Sequence, residues 1–267
     1  MIYSKTNMQT IILSAGVGSR LRPYTKDLPK CLVKLGGTAI LEHQLTVLQD
    51  CGISKKSISI VGGYLCEKLR KYNIKVFENK FYQKTNMVFS LFVALNNLNN
   101  NEDIIISYGD IVYEKKVLKK LIKSTHSITI VADKSWKNLW DLRMDNILND
   151  AETFRYDSNL NILEIGKKAK SIDEIQAQYI GLIKIKKEFI KRINKIYQDF
   201  FKNKNVDKSI LNNMYMTSFI ENLINKNLPV KACLIEGGWL EVDTTYDLEI
   251  YNELYKKKEL SKYCEVI

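Results

Sequence analysis

"TIILSAGVGSRLRPYTKDLPK", residues 10–30, opens on an uncharged, largely apolar run and passes into a loop with glycines at 16 and 18 and cations at 20, 22, 26 and 30. "TIIL" reads as a buried strand. Beyond it, glycines let backbone N–H groups approach an anion because no Cβ intrudes. Arginine adds a planar fork that matches phosphate oxygens, and lysine a mobile point charge. Arg20, Arg22 and Lys30 could together hold a triphosphate. A tight turn with surface cations satisfies Gly-x-Gly equally well. Three phosphate-loop templates fail. The P-loop is absent, Leu21 replaces the third glycine of the dinucleotide fingerprint, and no kinase partner motif is present.

Outward from this loop the first half alternates. Strands are expected at "SISIVGG", "IKVFEN", "DIIISYGD" and "SITIVAD". Helices are expected at "TAILEHQLTVLQDCG" (38–52, capped by Thr38), "LCEKLRKY", "MVFSLFVALNNL" and "KKVLKKLIKS". Alternation predicts an α/β fold, a mostly parallel sheet with helices on both faces. Ligands of such sheets sit beyond the carboxyl ends of the strands, where the glycine loop and Gly109-Asp110 both fall.

After Asp133 the pattern changes. Trp136, Trp140 and Arg143 stand out, "ETFRYD" and "LNILEIGK" read as short strands, and alternation returns with "QYIGLIKIK" and the helix after it. Without a linker or repeat, the expectation is one domain over 1–267. Residues 133–267 carry a strand-rich insertion.

Composition narrows the chemistry. The chain has 267 residues, net charge +11, five scattered cysteines and two histidines. Odd, unspaced cysteines argue against disulfides and structural zinc. No run reaches the ~20 apolar residues of a membrane span, and residues 1–9 lack a signal-peptide layout. A cytoplasmic protein is expected, with no nucleic-acid or membrane partner. The lysine-rich runs at 114–123, 184–195 and 255–262 read as solvated faces of amphipathic helices.

The whole opening string resembles the signature of the sugar-phosphate nucleotidyltransferase family, L-A-A-G-x-G-[ST]-R-[LM]-x-P-x-T-x-x-x-P-K, and departs from it at Ser14. "ILEHQLTVLQDCGI", "YGD" and "LEVDTTYDLE" are similar to its later segments, so the likeness spans nearly the full chain. "ENKFYQKTNMVFSL" and "GGWLEVDTTYDLE" resemble the phosphocholine-type cytidylyltransferase branch. Residues 150–185 resemble capsule-linked cytidylyltransferases that use phosphoglutamine.

The resemblance implies a nucleotide-diphospho-sugar transferase fold, Rossmann-like, in which residues 1–132 would be the nucleotide-binding half and residues 133–267 would bind the acceptor and complete the metal site. It implies CMP transfer from CTP to a small phosphorylated acceptor, with Mg²⁺ as cofactor and a homo-oligomer as an open option. On matching residues, Lys30 and Arg20 would be catalytic. Leu13, Ala15, Gly16, Gly18 and Asn86 would bind the nucleotide. Asp110 and Asp243 would hold the metal, with Glu241 in support. Lys167 would face the acceptor phosphate. By residue type rather than by resemblance, Trp136, Trp140 and Trp239 could line an acceptor pocket or pack in the core, and Gln178 and Glu152 could bind the polar ends of an amino acid. The alternatives are a sugar-1-phosphate nucleotidyltransferase using UTP, dTTP or GTP, and a non-catalytic nucleotide- or RNA-binding protein.

Overall fold

The computed structural model describes residues 7–99, 101–202 and 207–266. Residues 1–6, read above for a leader, lie outside the described residues. A seven-stranded sheet is built from β1 (Met8–Ser14), β2 (Ile58–Gly62), β3 (Lys75–Glu78), β4 (Asp103–Tyr108), β5 (Ile128–Asp133), β6 (Gln178–Ile185) and β7 (Val230–Ile235). Their spatial order is β7-β5-β6-β4-β1-β2-β3. All neighbours are parallel except β6, which runs antiparallel to both β4 and β5. Strands from both halves of the chain therefore enter one sheet.

The central strands are largely apolar because both faces of the sheet are covered. The helices are α1 (Ile40–Asp50), α2 (Met87–Leu95), α3 (Lys115–Lys123), α4 (Trp136–Arg143), α5 (Lys187–Lys202), α6 (Lys208–Asn212), α7 (Met216–Asn225) and α8 (Thr245–Lys256). Side chains alternate across a strand. Ile12, Ile60 and Ile105 thus point to one face, with apolar residues of α1, α3, α4 and α8. Ile11, Leu13, Val61 and Ile106 point to the other, with α2, α5 and α7.

Several local expectations shift. Helix α1 starts at Ile40 rather than at a Thr38 cap, because Thr38–Ala39 pairs with Lys34–Leu35 as a short ribbon and Glu42 accepts the Ala39 N–H. "WKNLWDLR", left without an element by the sequence, is α4. The insertion also contains the Glu152–Tyr156 and Ile162–Lys168 hairpin. The lysines of α3 and α5 lie mostly on solvated faces, but Lys184 is an exception. It is buried on β6 and donates to the carbonyls of Ile122 and Ser124 at the end of α3. The five cysteines are free and buried. No helix of the described residues is long and apolar enough to cross a membrane.

Candidate active site

Three segments converge at the carboxyl edge of the sheet. The first is the loop after β1. Gly18 has φ +64°, a left-handed geometry that favours glycine. A side chain there would also crowd Lys30 and Thr25, whose hydroxyl donates to the Gly18 carbonyl at 2.7 Å. Leu21 is fully buried and pins the loop. A short turn at Lys30–Leu32 buries Cys31 and Leu32 and draws Lys30 back beneath it.

The second segment follows β4. A Cβ on Gly109 would lie 2.7 Å from the Leu13 carbonyl and the Ser14 side chain, so only glycine lets β4 and β1 end side by side. Asp110 comes next. The third is Trp239–Glu241, which pairs antiparallel with Ile111–Tyr113. The Val242 N–H then donates to the Asp110 carbonyl at 2.9 Å. This ribbon places Asp243 beside Asp110.

The two carboxylates meet at one nitrogen. Lys30 Nζ lies 2.8 Å from Asp110 Oδ2 and 2.7 Å from Asp243 Oδ1. The two oxygens are therefore at most about 5.5 Å apart, the sum of those contacts. Arg20 Nη1 reaches Asp243 Oδ2 at 2.6 Å from a largely exposed side chain. Burial alone would lower the Lys30 pKa, but the attraction of Asp110 and Asp243 outweighs it and holds the pKa above the usual lysine value. Lys30 is a fixed positive charge at neutral pH.

Comparisons with known proteins point the same way. Residues 10–142 match the MobA-like NTP transferase domain. The chain is 44% identical over 255 residues to the CTP:phosphoglutamine cytidylyltransferase of Campylobacter jejuni, covering 92% of this chain and 100% of that one. The chain belongs to this family of nucleotidyltransferases. It is also 28% identical over 180 residues to the choline-phosphate cytidylyltransferase of Streptococcus pneumoniae, covering 64% of this chain and 77% of that one.

A solved structure of the S. pneumoniae CTP:phosphocholine cytidylyltransferase superposes with a TM-score of 0.70 at 21% identity, over 93% of this chain and 99% of that one. The inositol-1-phosphate CTP transferase of T. maritima gives 0.72 at 19%, over 99% and 100%. At such identities the two structures establish the fold alone, that of the nucleotide-diphospho-sugar transferases.

In this nucleotidyltransferase the expected nucleotide ligands Leu13, Ala15, Gly16, Gly18 and Asn86 line a single cleft together with Arg20, Lys30, Asp110 and Asp243. Gly16 faces open space, so the absence of its side chain keeps that cleft clear. Asn86 caps α2 by accepting the Met87 N–H. The two aspartates suit a hard divalent cation such as Mg²⁺, which commonly takes one or two protein carboxylates. Asp110 Oδ1 is buried without a hydrogen-bond partner, as a vacant ligand atom would be.

The expected acceptor ligands are not brought to this cleft. Trp136 and Trp239, 3% and 2% exposed, are core residues, which corrects the reading of both as pocket walls. The rings of Trp136, Trp140 and Trp239 pack in series, and Trp239 Nε1 donates to Asp133 at 2.9 Å. A large ring with one N–H is well satisfied by such a place. Gln178 is buried and donates to the Glu152 carbonyl. Lys167 lies on the hairpin, paired with Glu164 at 2.9 Å and Glu221 at 3.2 Å.

Sequence reasoning missed other parts of the cleft wall: Tyr82, Thr85, Ser90 and Tyr108. Asn79 organises part of it by donating to Thr85 at 2.9 Å and Ser90 at 3.0 Å. The polar run between β3 and α2 was the available signal. Asp247 was also passed over, because an acidic residue at the third position of a helix reads as a cap.

Proposed function

We propose that this nucleotidyltransferase transfers CMP from CTP to the phosphate of a small acceptor of the phosphoglutamine type, releasing pyrophosphate. The observation that carries the reading is the 44% identity, which covers all of the Campylobacter jejuni phosphoglutamine enzyme and extends well beyond residue 142, where the domain match ends. The product would serve to modify a capsule or other surface polysaccharide, and the reaction would take place in the cytoplasm.

The residues suit the chemistry. An acceptor phosphate oxygen attacks the α-phosphorus of CTP, the bond from that phosphorus to the β-bridging oxygen breaks, and pyrophosphate leaves with the electron pair. The nucleophile is already anionic at neutral pH, so no general base is needed. The requirement is charge neutralisation where two anions meet. Lys30, fixed beneath the glycine loop, would stabilise charge on the α-phosphate. Arg20, on an exposed and adaptable stem, would hold the β- and γ-phosphates. Mg²⁺, when bound, supplies further neutralisation of the triphosphate, and Asp110 and Asp243 are the residues that would hold it. Leu13, Ala15, Gly16, Gly18 and Asn86 would form the nucleoside side of the cleft, and the half after residue 132 the acceptor side.

Pyrophosphate release tests this across CTP, UTP, ATP and GTP, each with phosphoglutamine, phosphocholine, 2-aminoethylphosphonate and a sugar 1-phosphate. CTP with phosphoglutamine should give the highest kcat/KM. A preference for UTP with the sugar phosphate would overturn it.

A further inference from the structure

We propose that Arg143 is a positioning residue for the transfer reaction, acting on Asp243 through Asp247. The inference rests on the reading of Asp243 as a site residue. Arg143 lies one residue beyond the end of the MobA-like match, on α4, and does not line the cleft. Its side chain is 1% exposed, so it touches neither nucleotide nor acceptor.

Its contacts lead straight to the site. Arg143 grips Asp247 with two parallel bonds, Nε to Oδ1 at 3.0 Å and Nη2 to Oδ2 at 3.2 Å. Its third nitrogen, Nη1, lies 3.0 Å from Glu241 Oε2. The Trp140 ring covers the guanidinium, 5.4 Å from its centroid. The oxygen that Nη2 holds, Asp247 Oδ2, also accepts the backbone N–H groups of Asp243 at 2.9 Å and Thr244 at 2.8 Å. The peptide carrying Asp243 is thus clamped from behind by a carboxylate whose orientation Arg143 sets. On the preceding side, Val242 is tied to Asp110. Asp243 is left with its side chain free to face Lys30 and Arg20.

Helix capping alone does not require this arrangement. An aspartate at the third position of a helix caps adequately in water. Here Asp247 is 1% exposed, and a buried carboxylate without a counter-charge is strongly disfavoured. A buried ion pair is in turn often no more stabilising than an apolar replacement. The guanidinium fork supplies what an apolar contact lacks: a fixed angle for both Asp247 oxygens, hence for the Asp243 backbone. Lysine would keep the charge and lose the angle.

The test is a double-mutant cycle of Arg143→Lys and Asp243→Asn. Its readouts are kcat, CTP affinity by calorimetry without acceptor, and the melting temperature. Arg143→Lys should lower kcat roughly 10- to 100-fold, the range expected for a displacement of about 1 Å in a reacting group. CTP affinity should change less than about threefold. Combined with Asp243→Asn, it should add little further loss, since both act through one carboxylate. If the two losses multiply, or if Arg143→Lys keeps normal kcat while Asp243→Asn is impaired, the positioning role falls and the reading of the site stands. If Asp243→Asn itself is fully active, that reading fails first. Should Arg143→Lys not fold, Asp247→Asn takes its place, removing the charge that Arg143 grips while keeping an oxygen for the two N–H groups. Loss of the fold in both would make the network purely structural and overturn the proposal.

Discussion

Two cations in this molecule each stand between two carboxylates, and they are built differently. Lys30 bridges Asp110 and Asp243 in the wall of the cleft. Arg143 bridges Glu241 and Asp247 behind it, almost wholly buried. Lysine offers a compact charge on a flexible stem, able to exchange a carboxylate for a phosphate. Arginine offers a rigid fork that holds its partners at set angles. The difference teaches that charge and geometry are supplied by separate residues here. The front cation serves the reacting anions, and the rear cation serves the backbone that presents Asp243. Loss of water raises the pKa of Glu241 against the opposing pull of Arg143.

The largest effect expected from this contrast is chemical and belongs to the front. Lys30→Ala should lower kcat on the order of 10²-fold or more, as loss of other preorganised charge-stabilising groups does. CTP affinity should fall much less. Near-normal turnover in this variant would erase the distinction, because the front cation would then only neutralise Asp110 and Asp243.

Next come the partners of that cation. Asp110→Asn and Asp243→Asn should each reduce activity and Mg²⁺ affinity together while the fold survives. The double variant should lose much less than the product of the two single effects. A multiplicative loss, measured by Mg²⁺ titration of kcat/KM, would mean that the aspartates do not serve one ion.

Stability should invert the ranking. Arg143→Met leaves Glu241 and Asp247 facing each other without a counter-charge, a loss of about 3–5 kcal/mol for one broken buried pair. In a chain of this size that lowers the melting temperature by roughly 6 °C or more. Lys30→Ala should shift it less, because its carboxylates border an open cleft. Thermal melts of the two variants side by side would break the comparison if Lys30→Ala proved the more damaging.

The smallest effects are near-null and sharpen the boundary of the site. Trp136→Phe should leave the acceptor KM within about twofold, since its ring packs in the core. Lys167→Met should do the same, because the ammonium is already held by Glu164 and Glu221; a rise in acceptor KM of tenfold would bring Lys167 into the acceptor subsite. Between pH 7 and 9 the rate should show no loss from Lys30. Its folded pKa is raised, so its charge and the stability tied to it persist below the ordinary lysine value of about 10.4 and fade only as pH climbs past the raised one.

Much of the fold was legible because its signals are local. Uncharged β-rich runs alternating with helical periodicity announced the sheet, and β1, β2, β4 and β5 fall within a residue or two of their expected limits. Helix α4 was not legible. Taken together, Trp136, Trp140 and Trp239 could line a pocket or pack in the core, and only their mutual packing shows them as core. Lys184 misled for a related reason. It sits in a lysine-rich run, yet it lies on a strand whose two faces are both covered, and two helix-end carbonyls satisfy it.

By itself the sequence determined the strand–loop–cation motif, the α/β layering and the short list containing Arg20, Lys30, Asp110 and Asp243. The motif and the layering depend on residue type and on spacing within a few turns of chain, which the sequence displays directly; the two aspartates joined the list through the resemblance of their segments to the nucleotidyltransferase family. Only the tertiary structure decided that Asp110 and Asp243 share Lys30, that Asp247 and Arg143 stand behind them, and that the tryptophans pack in the core rather than line the cleft. Those facts depend on the pairing of Trp239–Glu241 with Ile111–Tyr113, a contact between segments distant in the chain. No local propensity encodes such a pairing. It forms because both segments leave the same edge of the sheet with apolar residues to bury, and closing the ribbon satisfies backbone groups that would otherwise be stranded there.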